Sequence, residues 1–227
     1  MTVDIPFHYW EGKENLEKGC PWLTPGAIIY LDSHIQSFFK VLELGSGGST
    51  IFFSKRCAEV TSIETSEEWC KKVKDCISNR NITNVQLLLF SIDECVQYIN
   101  AIPENVYDLI LIDPGYGTKR LMFAKMCMAK LKAGGFMVID NYAWTQRKYI
   151  GLKNKIWFRG WSTYFFDDPF WRACGNGTSV NIKPFPYQTT IKYKIKSLLI
   201  RVLVISRIEK SKLFQIVYSK LRPNKKT

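Results

Sequence analysis

Apolar residues gather in five short runs, and the segments between them change from a strand-like to a helical period. The runs are KVLEL (40–44), EVTSIE (59–64), NVQLLLFS (84–91), YDLILID (107–113) and FMVIDN (136–141). Near-continuous apolar runs of this length are the pattern of strands buried on both faces. WLTPGAIIYLDSHIQSFFK (22–40) predicts a helix, with Thr24 as cap and Pro25 at its first position. GSTIFFSKRCA opens a second helix. SEEWCKKVKDCISNR (66–80) is a third, with Ser66 as cap and acids in its first turn. IDECVQYINAI is a short fourth. LMFAKMCMAKLKAGG reads as a fifth, stopped by Gly134–Gly135.

Strands alternating with helices predict an α/β fold, a doubly wound, Rossmann-like and mostly parallel sheet with helices on both faces. WSTYFFDD and GTSVNIK flank a loop holding Pro169, Gly175 and Gly177, and read as an antiparallel pair at the sheet edge. They complete seven strands. Residues 1–183 are expected to form this single domain, and 184–227 a basic, amphipathic, helical C-terminal tail.

Composition adds compartment and charge. The 227 residues are 46% hydrophobic, enough for a substantial core. MTVDIPFHYW has neither a basic start nor an apolar run, so no secretory leader is expected. No stretch reaches the roughly 20 apolar residues of a membrane span. Seven cysteines without a C-x-x-C pair suit a reduced, cytoplasmic protein. The net charge of +12 is uneven. From Lys183 on, twelve Lys and Arg face one acid, Glu209, a net of +11 that leaves +1 for the body. In TIKYKIKSLLIRVLVI (190–205), Ile191, Ile195, Leu198, Val202 and Ile205 make one helical stripe flanked by lysines and Arg201. Such a helix suits an anionic membrane surface, which would place the protein peripherally at the inner face of the plasma membrane. A homodimer contact is the alternative, and a nucleic-acid tail fits less well because the stripe is so aliphatic.

The chemistry begins at VLELGSGGST (41–50), a strand running into a glycine-rich turn. Gly45 and Gly47 permit close backbone approach to a ligand, and the following helix start favours an anionic or carboxylate group. The dinucleotide fingerprint asks for glycine where Thr50 stands. Glu43, just upstream, would repel a pyrophosphate but suits the ammonium of a methionine moiety. Glu64, at the end of the second strand, is placed to accept hydrogen bonds from two ribose hydroxyls and has no evident packing reason.

Together, VLELGSGGST, VTSIETSEEW, YDLILIDPGYG and LKAGGFMVIDN resemble the class I S-adenosylmethionine-dependent methyltransferases over roughly residues 20–183. The resemblance implies a cofactor site that includes Glu43, Gly45, Gly47, Ser49 and Glu64. It places Ser91 near the adenine, and Trp22 and Thr24 over the methionine end. The layout looks most like small O-methyltransferases of the catechol O-methyltransferase type. In those, a Mg²⁺ ion sits at the positions of Asp113, Asp140 and Asn141, where clustered oxygens suit a hard cation and can lower a hydroxyl pKa. The lysine expected three residues after the first acid is replaced by Tyr116, and Lys119 follows, so Asp113, Tyr116 and Lys119 are the catalytic candidates and the metal stays in question. Without it, Asp113 would contact cofactor or substrate and Asp140 would cap the next segment.

DPGY (113–116) keeps a second reading open. Amino-methyltransferases carry D-P-P-Y here, and Gly115 breaks that motif. A third reading is a non-catalytic module that uses the fold to sense a ligand. His34 reads as structural, and His8 as a candidate base in an N-terminal lid. Trp144, Arg147, Phe170, Trp171 and Arg172 lie in segments that reach the same rim and suit a sugar or acidic acceptor. The sequence thus predicts a methyltransferase acting on a hydroxyl of a small-molecule or membrane-proximal, lipid-linked or glycan acceptor.

Overall fold

The alternating pattern becomes a sheet because each strand buries both of its faces. β1 (Lys40–Leu44), β2 (Glu59–Glu64), β3 (Val85–Leu89), β4 (Tyr107–Ile112), β5 (Leu131–Asp140), β6 (Ser162–Asp167) and β7 (Gly177–Ile182) form one sheet in the order β3-β2-β1-β4-β5-β7-β6. The chain was described with a computed structural model, which covers residues 13–115, 119–142, 157–167 and 177–185. β1 to β5 are mutually parallel, and β7 is antiparallel to both β5 and β6. The expected antiparallel edge pair is therefore present.

Period-two alternation splits the core in two. Leu42, Leu44, Ile110, Ile112, Met137 and Ile139 face α5 (Ile92–Ala101) and α6 (Arg120–Cys127). Val41, Leu109, Leu111 and Val138 face α2 (Pro25–His34) and the phenylalanines of α3 (Gly48–Ser54). All six residues of β4 are buried. Each such aliphatic contributes roughly 1.5–3 kcal/mol relative to exposure. The remaining helices are α1 (Lys13–Lys18) and α4 (Glu67–Asn79), and Ser66 caps α4 by accepting from Trp69 N.

Two expectations are corrected. The helix predicted over 22–40 spans only Pro25–His34. The Phe39 carbonyl accepts from Ala58 N and Glu59 N, which commits the chain to the sheet. Thr24 occupies the N-cap position, but its side chain makes no capping bond. The helix expected to run to Gly134–Gly135 ends at Cys127, and those glycines lie inside β5. Leu131 already pairs with Tyr107, and a register shift follows. Gly134, at φ +77°, absorbs it while its N–H donates to the Lys183 carbonyl. Sheet pairing here outweighs the local helix preference of KLKA.

β1 and β4 are neighbours with their connections leaving on opposite sides, so strand order reverses between them. In open α/β sheets the ligand crevice lies beyond the strand ends at such a switch point. Among the described residues, no helix is long and apolar enough to cross a membrane. The tail from residue 186, with its predicted amphipathic stripe, lies outside the described residues.

Candidate functional site

The turn after β1 is built around a buried acid. Glu43 has no exposed surface. Its Oε2 accepts from the Thr50 hydroxyl (2.6 Å) and the Ser62 hydroxyl (2.6 Å). Thr50 Oγ1 in turn accepts the Gly47 N–H at 2.9 Å. Burial pushes the Glu43 carboxyl up to about 7, while the hydroxyls of Ser49, Ser62 and Thr50 act to lower it. Glu43 Oε1 makes no hydrogen bond of normal geometry, although the Ser49 hydroxyl is close enough to favour the charged form.

Gly45 sits at φ +95°, and a Cβ there would fall 2.1 Å from the Asp113 carbonyl oxygen. The ends of β1 and β4 are tied by Asp113 N–H to the Leu44 carbonyl (2.8 Å). Glu64 holds the other side of the turn. Its Oε2 accepts from Ser46 N (3.0 Å) and Ser46 Oγ (2.9 Å), and its Oε1 from Thr65 N (2.7 Å) and Ser66 N (2.9 Å). The acid that the sequence left without a packing reason therefore has one. Trp69 on α4 completes the turn, with its indole N–H donating to the Ser46 carbonyl at 2.8 Å.

Beside the turn lies a small pocket. Ile63, Ile92, Cys95, Pro114 and Phe123 give it apolar walls, and Glu64 lies at its edge. Ser91 does not line it. It caps α5, accepting from Glu94 N while Glu94 Oε2 accepts from Ser91 N.

On the far side of β4, three charged side chains meet, of which Arg120 and Asp140 are buried and Asp113 is a quarter exposed. Arg120, the first residue of α6, is 7% exposed. Its Nη2 lies 2.7 Å from Asp113 Oδ1, its Nη1 donates to Asp140 Oδ2 at 3.4 Å, and its Nε donates to the Pro114 carbonyl at 3.2 Å. Asp140 Oδ1 accepts from the Thr178 hydroxyl at 2.8 Å, and Thr178 Oγ1 accepts the Thr24 N–H at 3.1 Å. Burial raises the Asp113 carboxyl well above the usual range, opposed by Arg120 and reinforced by Asp140, Glu43 and Glu64. Burial likewise raises Asp140, with Arg120 and Thr178 opposing. Asn141 follows in the left-handed region, at φ 47°.

Solved structures share this arrangement of elements. An O-methyltransferase from Bacillus cereus, in complex with SAH, aligns with a TM-score of 0.58 and 17% identity, covering 75% of this chain and 87% of its own. TomG, the O-methyltransferase of Streptomyces achromogenes involved in tomaymycin synthesis, in complex with SAM, aligns at 0.60 and 13%, covering 76% and 90%. A Streptococcus thermophilus rRNA methylase aligns at 0.54 and 16%, covering 69% and 93%. The chain has the class I methyltransferase fold. No protein-family model matches it, and no curated protein sequence matches it significantly.

Within this methyltransferase fold, Glu43, Gly45, Glu64 and Asp113 lie at neighbouring strand ends. Gly47 and Ser49 stand on the same turn and the start of α3, and Trp22 is 42% exposed. Lys119 directly precedes α6, and Tyr116 lies outside the described residues, as do His8, Trp144, Arg147, Phe170, Trp171 and Arg172. His34 stacks on Tyr30 at 4.0 Å, in keeping with its structural reading.

The Mg²⁺ expectation at Asp113, Asp140 and Asn141 does not fit, because the Arg120 guanidinium already bridges the two carboxylates that would hold the ion. Burial pushes Cys20 and Cys95 up to about 11, and Cys57 and Cys127 up to about 12, so these four thiols are poor nucleophiles. Sequence reasoning missed Arg120, Thr178, Trp69 and Ser46. Arg120 had a signal, a cation seven residues after Asp113 at the head of a largely apolar helix. Thr178 had none, because only the antiparallel placement of β7 brings it to Asp140.

Proposed function

We propose that this chain is an S-adenosylmethionine-dependent methyltransferase that methylates a hydroxyl. The observation that carries this reading is the meeting of two turn carboxylates, an apolar pocket and Asp113 at one switch point. The residues fit the cofactor. The apolar walls formed by Ile63, Ile92 and Phe123 suit an adenine, and Glu64 stands where ribose hydroxyls can replace the Ser46 hydroxyl. Glu43 Oε1 and Thr24 Oγ1 are buried oxygens that make no hydrogen bond of normal geometry, and both belong to the predicted methionine end. Unpaired buried polar atoms are costly, so a ligand that supplies a donor is favoured there.

When bound, the cofactor supplies an electrophilic methyl group on a sulfonium. Arg120 pairs with Asp113 and Asp140, and Glu43 and Glu64 stand beside them, so carboxyl groups crowd the site and favour a positively charged ligand. Asp113, a quarter exposed, accepts the hydrogen bond of the acceptor hydroxyl and orients it. Its raised affinity for protons lets it take up the proton as the oxygen is alkylated. Lys119, directly before α6, remains a candidate on the acceptor side, and Tyr116 remains a candidate from the sequence.

The acceptor is a small molecule or a membrane-proximal glycan or lipid-linked intermediate. The basic stripe of 190–205 supports the membrane-proximal option. The O-methyltransferase neighbours favour a hydroxyl, whereas DPGY and the rRNA methylase neighbour favour a base or amine. Incubating the full chain with cofactor labelled on the methyl group and with fractionated cell extract separates them. Label is expected in small-molecule or glycolipid fractions. Label in RNA contradicts the small-molecule or glycan acceptor, label on a base within that RNA supports the amine reading and label on a ribose hydroxyl does not, and absence of label from every fraction supports the non-catalytic module.

A further inference from the structure

The Asp113–Arg120–Asp140 arrangement is more than an ion pair. Arg120 uses three of its nitrogens on three acceptors, two carboxylates and the Pro114 carbonyl. Asp140 is 3% exposed and spends its second oxygen on Thr178. A carboxylate pair of this kind, one member buried and the other a quarter exposed, needs a cation, because two like charges so little hydrated repel each other strongly. A divalent metal would meet that need with about six oxygen ligands. Here a planar guanidinium meets it from inside the chain.

We infer that Arg120 is the permanent counter-cation of this site, standing where a divalent ion would otherwise bridge Asp113 and Asp140. The site is then independent of metal, and Arg120 acts as a positioning residue that fixes the Asp113 carboxylate. An acceptor meets a single carboxylate rather than a chelate. One hydroxyl or amine suffices, and a vicinal diol is not required. The catalytic meaning rests on the methyltransferase reading; the exchange of metal for arginine does not.

The test is manganese binding by the full chain, followed by the free Mn²⁺ electron paramagnetic resonance signal. Wild type and Arg120→Lys are expected to bind no Mn²⁺ at about 1 mM. Arg120→Ala leaves the two carboxylates uncompensated. It is expected to bind Mn²⁺ about tenfold or more tighter than wild type, and to lose that site when Asp140→Asn is added. Stoichiometric Mn²⁺ binding by wild type that disappears in Asp140→Asn overturns the inference. So does a folded Arg120→Ala, judged by near-ultraviolet circular dichroism, that binds no more than wild type. If Arg120→Ala does not fold, wild type and Arg120→Lys decide, because Mn²⁺ bound by both overturns it and by neither upholds it. None of these readouts needs the cofactor, so failure of cofactor binding would leave this inference standing and sink only the proposed activity.

Discussion

Thr50 donates its hydroxyl to Glu43 Oε2 across 2.6 Å, beneath the turn that the same hydroxyl holds through the Gly47 amide. The acid therefore organises the turn, and it does so at the cost of a buried charge. Burial raises its carboxyl from 4.5 to about 7. A raised folded value means that the native state keeps the proton longer than the unfolded chain. Stability is accordingly full below pH 4.5 and falls as pH rises to about 7. Glu43→Gln, which keeps the acceptor for Thr50 and Ser62, should remove this loss. We expect it to gain up to about 3 kcal/mol over wild type above pH 7, with no gain below pH 4.5. Urea unfolding of both proteins across that range checks the sign.

Thr178 joins Thr24 to Asp140, and its methyl side is enclosed with no exposed surface. Thr178→Val keeps the shape and strands both partners. A loss of about 1–3 kcal/mol is expected by chemical denaturation. Thr178→Ser should recover most of it, which a simple packing defect would not.

The glycines of the turn are not equivalent. A Cβ at Gly45 meets the Asp113 backbone, and φ is positive there, so Gly45→Ala should cost about 3 kcal/mol or more. A Cβ at Gly47 comes no closer than 3.8 Å to any atom, and its φ of 161° is ordinary extended backbone. Gly47→Ala should therefore leave the melting temperature nearly unchanged while weakening S-adenosylhomocysteine binding. Thermal unfolding and equilibrium binding on the same two variants separate the roles.

The tail prediction is independent of the site. Full-length protein should sediment with phosphatidylserine-containing vesicles, and less so as salt is raised. A chain ending at residue 185 should stay in the supernatant with its fold intact. Equal behaviour of the two proteins contradicts a membrane role for the stripe.

Strands were legible because burial on both faces writes an unbroken apolar run, as in YDLILI, where every residue is enclosed. The end of α6 was not, because KLKAGG carries a local helix-stop pattern that pairing of Leu131 with Tyr107 overrides. Glu43, Glu64 and Asp113 were legible because charges at strand ends stand out against apolar neighbours. Their bonding was hidden. The four donors to Glu64 come from two turns, Ser46 after β1 and Thr65 and Ser66 after β2, whose approach no spacing reveals. The metal expectation followed from two acids seen without Arg120, whose approach depends on how α6 packs on β4 and β5.

Calorimetric titration with S-adenosylhomocysteine tests the central claim most directly, run on wild type, Glu64→Gln and Gly47→Ala at a temperature where all are folded. The account predicts micromolar binding to wild type, and at least about tenfold weaker binding to each variant. Folded wild type that takes up no S-adenosylhomocysteine, or variants that bind as wild type does, would contradict it.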